Sequence, residues 1–263
     1  MEFYTLASGS SGNAALVRFR HTALLIDAGI SAKRLTLALR ALDVAPEELD
    51  AILITHEHTD HIQGLRVFCR KCAAPVYASR GTAAYLAEFA PEVRAFDAGD
   101  AFPVGELYVR SFPSSHDAAD SVGYRIESEV GSLGFLTDTG VVTGEAKETL
   151  CGVDALLLEA NHDVETLKSG PYPESLKRRI LSRRGHLSND AAAEFALYAA
   201  RHGTGDILLA HLSRENNTPA MAEYAVARRL QANGCAVRLA VAPRDTTSEV
   251  HLCRRSPSYA SGS

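Results

Sequence analysis

Nowhere in its 263 residues does the chain hold an apolar run of the roughly eighteen residues that a membrane-spanning helix needs, so no membrane span is expected. The opening segment MEFYTLASGSSGN has neither a basic stretch nor an apolar one, and no secretory signal is expected there. Cysteine is sparse. Cys69, Cys72, Cys151, Cys235 and Cys253 are odd in number and scattered, which excludes a disulfide framework and suits the reducing cytoplasm. Cys69 and Cys72 form one C-x-x-C pair with no second pair at zinc-finger spacing, so they are expected to be structural rather than redox-active or zinc-binding. An excess of positive charge is also absent. A net charge of −5 excludes a protein that coats nucleic acid indiscriminately, though not a local basic patch. No low-complexity linker occurs, and no segment marks an obligate protein partner.

What the chain does have is a 46% hydrophobic content, enough for a buried core, arranged as short β-rich runs alternating with helical patterns. Tyr4–Leu6, Ala14–Phe19 and Ala23–Ile26 read as early strands, with the turn SGSSGN between the first two. Ser31–Leu42 has helical spacing behind a Ser31 cap, and Ala51–Ile54 is a continuous apolar run, as in a strand buried on both faces. HIQGLRVFCRKC reads as a helix. Leu107–Phe112, Val122–Ile126, Leu133–Leu136 and Ala155–Leu158 are strand-like. Ser188–Ala200 is an alanine-rich helix capped by Ser188 or Asn189. Ile207–Ala210 is a late buried strand, followed by a helix from Pro219 to Leu230 and a strand near Val237–Ala240. Early hairpins and later β-α units predict an α/β protein with sheets packed centrally and helices outside, in one domain over residues 1–255 with a disordered tail at 256–263.

The sharpest feature is THEHTDHIQGL, residues 55–65, which follows the buried run Ala51–Ile54 directly. His56 and His58 are two apart, so in an extended segment they point the same way, and Asp60 and His61 start a helix from which they can face the same point. Three imidazoles and a carboxylate this close are costly to bury without a cation, and they suit zinc, manganese or iron. Further ligand-type residues follow later apolar runs: His116 after Phe112, Asp138 after Leu136, and His211 after Ala210. Repeated in this way, the pattern places a metal site along one edge of a sheet.

These residues, with Asp27 in LLIDAG, resemble the metallo-β-lactamase superfamily along nearly the whole chain. LASGSSGN, RKCAAPVYA, LEANHD, LKSGPYPESLKRRIL, GHLSND and HLSRENNTP resemble its bacterial YycJ/WalJ subfamily over roughly residues 3 to 220. The resemblance implies a four-layer αββα sandwich and two divalent ions, manganese or zinc. His56, His58 and His116 would hold one ion, Asp60, His61 and His211 the other, and Asp138 would bridge them. Asp27 would orient ligands rather than bind metal. The implied activity is a phosphodiesterase acting on DNA ends or single strands, expectedly a 5′-to-3′ exonuclease using a dinuclear-metal-activated hydroxide, with Asp60 in the catalytic set. The alternative is a hydrolase of a small phosphodiester or thioester on the same site. A di-iron redox protein would need a carboxylate-richer first cluster, and a metal-free regulator would not keep the full ligand set.

A poor alkoxide leaving group calls for an acid, which contributes roughly 10²–10⁴-fold. His186 in GHLSND precedes the alanine-rich helix as a catalytic histidine does in the related tRNA-processing endonucleases, and His162 in LEANHD follows the run Ala155–Leu158. Both are candidates; for His162 the other reading is a hydrogen-bonded histidine that shapes its loop. His21, His202 and His251 lie in turn-like or terminal stretches and read as surface residues. Between His162 and His186 runs KRRILSRR, whose Lys177, Arg178, Arg179, Arg183 and Arg184 form either a solvated helix face or a phosphate-binding wall for DNA. The loop Ser8–Asn13 either offers backbone N–H groups to an anion or the site, or is a tight hairpin.

Overall fold

A computed structural model describes residues 1–88 and 90–254, and these form two seven-stranded β-sheets. The tail expected at 256–263, like residue 255 at the expected domain boundary, lies outside the described residues. The first sheet runs, strand beside strand, through β1 (Glu2–Ala7), β2 (Ala14–Phe19), β3 (Thr22–Ile26), β4 (Ala51–Leu53), β5 (Val76–Ser79) and β6 (Val93–Phe96). The second runs through β7 (Ala101–Val104), β8 (Leu107–Pro113), β9 (Val122–Ser128), β10 (Gly131–Leu136), β11 (Ala155–Glu159), β12 (Asp206–Ala210) and β13 (Arg238–Val241). β14 (His251–Leu252) returns to the first sheet, antiparallel to β1.

Side-chain alternation along these strands decides the layering. Leu24 and Ile26 of β3, Leu53 of β4, Leu133 and Phe135 of β10 and Leu157 of β11 point into one core between the sheets. Their neighbours Leu25 and Ile52 point the other way, against Leu35 and Leu39 of α1 (Ala32–Arg40) and the helices that follow β4. Those are α2 (Thr59–Ile62), α3 (Leu65–Phe68) and α4 (Arg80–Leu86), of which α3 contributes Phe68 and α4 Leu86. On the far side, Leu156, Leu158 and Leu209 pack against α5 (Gly144–Leu150), which supplies Leu150. α6 (Val164–Ser169) and α7 (Glu174–Ile180) then lead to α8 (Asn189–Arg201) and α9 (Pro219–Gln231), which add Phe195 and Val226 to that third core. The result is the expected αββα sandwich. Strands apolar on both faces, such as β4 and β11, are what two flanking layers require.

The helix ends follow local chemistry. Ser31 accepts from the Arg34 N–H at the start of α1, and Ser188 from the Ala191 N–H at the start of α8, so Ser188 and not Asn189 is the cap. The helix expected over HIQGLRVFCRKC is divided into α2 and α3 at Gly64. The Gly64 N–H donates to the Ala28 carbonyl, and a side chain there would lie 2.0 Å from the Ile30 oxygen, so a neighbouring backbone fills that space. Cys69 and Cys72 are buried beside α3, and burial pushes the Cys69 thiol up to about 11, as suits packing rather than reactivity. β5, β6 and β7 formed from a stretch that lacks clean alternation; β6 and β7 each have only one fully buried residue.

Strand direction gathers the loops. β3, β4, β5 and β6 are parallel, and β10 to β13 are parallel. β8 shares the direction of β10 because antiparallel β9 lies between them. The carboxyl ends of β3, β4, β8, β10, β11 and β12 therefore open on one edge of the sandwich, where ligand sites form in layered α/β folds.

At that edge Gly29 is wedged between two loops. Its N–H donates to the Asn13 carbonyl, and a Cβ there would sit 1.7 Å from the Asp60 oxygen. Gly29→Ala is expected to cost about 1–3 kcal/mol through forced backbone displacement. Thermal unfolding checks this: an unchanged melting temperature would mean that the two loops are not held this tightly.

Candidate metal centre

The segment after β4 folds back on itself. His56 is fully buried, His58 stands at the N-cap position of α2, and Asp60 and His61 occupy its first turn. All four contribute donor atoms to shared groups at this edge. His116 enters from the loop after β8, Asp138 from the end of β10, and His211 from the end of β12. Asp27, Asp138 and His211 have positive φ angles of 61°, 53° and 57°, a left-handed conformation costing roughly 1–3 kcal/mol in a non-glycine residue. Each directly follows, or nearly follows, its strand, and the sharp turn aims the side chain inward. The His211 N–H is met by the Ser8 hydroxyl at 2.8 Å, which ties that turn to the Ser8–Asn13 loop.

Two cages result. His56, His58 and His116 have donor atoms within 4.8 Å of one another, and so do Asp60, His61 and His211. Asp138 touches both sides: Oδ2 is 3.2 Å from His61 Nε2, and Oδ1 is 3.6 Å from His211 Nε2 and 3.8 Å from His116 Nε2. His58 Nδ1 and His116 Nε2 lie 3.2 Å apart, and His211 Nε2 lies 3.5 Å from Asp60 Oδ2. Ligands about 2.0–2.2 Å from one tetrahedral cation stand about 3.3–3.6 Å apart, so these spacings suit shared coordination. The seven residues singled out from the sequence are thus brought together; their donors also group as His56, His61 and Asp138, and as Asp138 and His211 with Glu159 and His186.

The donor atoms themselves indicate what is accommodated. His56 Nε2 is buried without any hydrogen-bond partner, and Asp138 Oδ2, though 3.2 Å from His61 Nε2, makes no well-aligned hydrogen bond. Leaving such atoms unpaired costs about 1–3 kcal/mol each, and a cation between them removes the cost. The charges agree. Burial opposes the anionic form of Asp138, yet His211 and His61 outweigh it and hold the carboxyl well below the usual range. Burial opposes charge on His61 and His211 as well, but Asp27 and Asp138 hold the first well up, and Asp138 with Asp60 and Glu159 raises the second to about 10. In the metal-free protein protonated imidazoles thus supply the positive charge that these carboxylates need. His56 is the contrary case, pushed well down by burial and by repulsion from His61, and so is a neutral lone-pair donor.

Around the cages stands a ring of hydrogen bonds. Asp27 Oδ2 accepts from His61 Nδ1 at 2.7 Å, and Asp27 Oδ1 accepts from the Thr55 N–H at 2.9 Å. Asn13 places Nδ2 3.1 Å from His61 Nε2, and its N–H donates to the Asp60 carbonyl, so the Ser8–Asn13 turn packs on the site. Glu57 accepts from the Thr82 hydroxyl and from the Ala119 N–H, bracing the loop that carries His116. The main omission from the sequence reading is Glu159. Its Oε1 takes His186 Nδ1 at 2.8 Å and His211 Nδ1 at 3.1 Å, while Oε2 accepts from the Thr139 N–H at 2.8 Å. Burial raises a carboxyl, but His186 and His211 bring Glu159 down to about 2. The signal was present: Glu159 ends the apolar run Ala155–Leu158 just as His211 ends its own. Asp117 was missed too, and its Oδ1 lies 3.4 Å from His116 Nε2.

The other candidates divide. His186 lies at the cluster, its Nδ1 3.6 Å from Asp138 Oδ1, and its ring partly exposed. His162 is buried in a β-bridge with Ser188, with no partner on either ring nitrogen and in neither cage. Burial pulls its pKa down to about 4, so it is a neutral buried ring and not an available acid. Lys177 does not form part of a basic wall: its Nζ is turned in, donating to the Lys168 carbonyl at 2.7 Å and to Glu174 at 3.0 Å. Arg184 donates to the His116 carbonyl at 3.1 Å and so supports that loop. Arg178 and Arg183 are exposed, and Arg179 pairs with Asp117 at 2.5 Å. His251, read as a surface residue, is instead buried with Nδ1 2.8 Å from Asp206.

The buried charges give the metal-free protein a pH signature. His211 is raised from 6.5 to about 10, so its stabilising contribution is complete below pH 6.5 and lost as pH rises through about 10. Glu159 is lowered from 4.5 to about 2, so its contribution is complete above pH 4.5 and lost as pH falls through about 2. The melting temperature of metal-stripped protein is expected to fall between pH 7 and 10, and Glu159→Gln should flatten that slope. An alkaline limb that Glu159→Gln leaves unchanged would contradict this pairing.

Comparison with known proteins agrees with this architecture. The Beta-lactamase superfamily domain matches residues 22–212. Exodeoxyribonuclease WalJ of Streptococcus pneumoniae serotype 2 is 41% identical over 236 residues, covering 87% of this chain and 88% of that protein. Exodeoxyribonuclease YycJ of Bacillus anthracis is 38% identical over 251 residues, covering 94% and 95%. Among solved structures, Zn(2+)-bound PqqB of Methylobacterium extorquens superposes with a TM-score of 0.73 at 18% identity, over 95% of this chain and 100% of that one, a likeness of fold. The chain belongs to the β-lactamase superfamily and, within it, to the family of exodeoxyribonucleases WalJ and YycJ.

Proposed function

We propose that this protein is a metal-dependent hydrolase of phosphodiester bonds in DNA, acting as a 5′-to-3′ exonuclease, with residues 1–255 as one catalytic domain. The observation that carries the reading is the pair of adjoining donor groups beside Asp138, with His56 Nε2 buried and unpaired among them. We assign His56, His58 and His116 to one divalent ion, Asp60, His61 and His211 to a second, and Asp138 to both, manganese and zinc each suiting this donor set. Ions held there would neutralise charge on the phosphate and acidify water at neutral pH. Exodeoxyribonucleases at about 40% identity over most of the chain support the choice of DNA.

The chain's own groups supply the rest. Asp27 fixes the ring of His61, and Glu159 fixes both His211 and His186. With Nδ1 bonded to Glu159, His186 has Nε2 left for the substrate, where it gives a proton to the departing sugar oxygen. Glu159 is thus a positioning residue for a ligand and for the acid at once. Arg179, Arg178 and Arg183 lie on the exposed side of α7 and the following loop, where they meet the phosphate backbone. Five free cysteines accord with an enzyme of the reducing cytoplasm. Among the described residues no helix is long and apolar enough to cross a membrane.

Asp60→Ala should lower both metal content and release of nucleotides from end-labelled duplex DNA, the latter at least ~10²-fold. His186→Ala should lose ~10²–10⁴-fold at unchanged metal content, while His202→Ala serves as the surface control. Full activity in Asp60→Ala, or equal loss in the two histidine variants, would overturn these roles. Turnover of a small phosphodiester with none of DNA would leave the hydrolase and remove the polymer substrate. Charge reversal at Arg178 and Arg183 should flatten the salt dependence of DNA binding, by about one unit of logarithmic slope for each phosphate no longer neutralised. An unaltered slope would return these arginines to plain surface.

A further inference from the structure

The outer side of the first sheet carries a cationic face that no step of the hydrolysis uses. No acidic residue occurs between Asp60 and Glu88, and none occurs from Ser31 to Leu42. These stretches hold α1 and α3, which pack side by side against the first sheet and leave Lys33, Arg40, Arg66, Arg70 and Lys71 exposed. Among the described residues none of these cations forms an ion pair. Elsewhere pairing is common: Arg18 with Glu2 at 2.5 Å, Arg80 with Asp97 at 2.6 Å, Arg229 with Glu194 at 2.7 Å. Even Glu88, which lines a shallow hollow with Arg66 and Arg70, pairs with neither.

The same face is apolar between its charges. Leu35 and Leu39 bury the inner side of α1, so Leu37 points outward and is 58% exposed. On α3, Leu65 and Phe68 turn in and Val67 is 49% exposed. Lys33 and Arg40 lie four residues before and three after Leu37, which puts them on its stripe of the helix. Arg70 and Lys71 stand in the same relation to Val67, with Arg66 beside it. A single exposed apolar residue is ordinary. Two on adjoining helices, set among unpaired cations, have the composition of an interface, where arginine and large apolar groups gather.

We infer that this face docks a partner protein through an acidic segment that carries apolar side chains. Its carboxylates meet Arg66, Arg70 and their neighbours, and its apolar groups cover Leu37 and Val67.

Charge selects the occupant. A chain with a net charge of −5 repels an acidic partner in general, so a local positive field sets where the encounter occurs. A nucleic-acid backbone would satisfy the cations but would leave Leu37 and Val67 against phosphate and sugar, still unburied. Position agrees with a second role. α1 begins beyond the carboxyl end of β3, and α3 follows Asp60, so both helices run away from the metal edge. At about 1.5 Å per residue, Arg70 lies up to about 15 Å beyond Asp60. A partner seated there leaves the edge open to substrate.

The test titrates two short fluorescein-labelled peptides with the metal-loaded full chain and follows anisotropy. One combines aspartate and glutamate with leucine and phenylalanine; the other has serine in place of each apolar residue. The first should bind at least about tenfold more tightly than the second, and should weaken as salt rises. Arg66→Glu with Arg70→Glu should weaken it at least about tenfold, with a smaller loss for Arg66→Gln with Arg70→Gln. Leu37→Ser with Val67→Ser should also weaken it at least about tenfold. All these side chains are exposed, so the variants should keep the parent's melting temperature and its rate of nucleotide release from duplex DNA. Failure of the first peptide to bind would overturn the proposal, and equal binding of the two would reduce the face to a general polyanion contact. Weakened DNA binding in Arg66→Glu with Arg70→Glu would assign the face to nucleic acid instead. Sedimentation with phosphatidylglycerol vesicles that the same variant abolishes, without peptide binding, would assign it to a lipid surface.

Discussion

Asp27, Asp138 and Glu159 are three carboxylates buried at one edge of a sandwich whose interior is otherwise apolar. An ionised carboxylate cannot remain there alone, because desolvation costs several kcal/mol and must be met by partner charge and hydrogen bonds. Each of them is met. Asp27 takes His61 and Thr55, Asp138 lies among His61, His116 and His211, and Glu159 takes His186, His211 and two backbone N–H groups. Every histidine of the cluster that touches one carboxylate is held by another or by a backbone carbonyl, so the rings have little freedom to turn. Partners outside the cages thus fix the orientation of the rings, which is the condition for electrostatic catalysis.

The fold serves that constraint. Parallel strands end together, so ligands that are far apart in the chain, His61 and His211 among them, meet without long loops. Left-handed backbone at Asp27, Asp138 and His211 is tolerated because the packed sheets on either side fix the turns. The Ser8–Asn13 turn joins the two halves: Ser8 holds the His211 turn of the second sheet, and Asn13 holds Asp60 beside the first. Glu57 and Arg184 do the same for the His116 loop from opposite sides.

Function follows from what is asymmetric about this edge. One end of the cluster carries His186, Arg179 and a small cavity, and the basic side chains of Arg178 and Arg183 lie exposed nearby in the chain. A net charge of −5 on the whole chain therefore says little about the local field. Of the five basic residues between positions 177 and 184, Lys177 is spent on helix packing and Arg184 on a loop carbonyl.

Local pattern in the sequence placed most of the strands and helices and the seven clustered donors, while the four-layer sandwich and the division of the donors between two ions followed from the family resemblance. An apolar run long enough for a doubly buried strand, followed at once by histidine or aspartate, can be recognised wherever it occurs. Tertiary structure decided what depends on approach from elsewhere. His162 follows a strand and His186 the loop after a helix, and both read as candidates, yet only the second faces the cluster, since a backbone bridge to Ser188 holds the first in the interior. Glu159 could have been found by the same strand-end rule, but its two imidazole partners are 27 and 52 residues away. At Gly64 the chain passes so close to the Ile30 carbonyl that no side chain fits, and His251 is buried where it pairs with Asp206. Periodicity records which way a side chain points from its own strand or helix; it carries no record of which distant carbonyl, carboxylate or ring arrives to meet it, and that only close packing of the two sheets supplies.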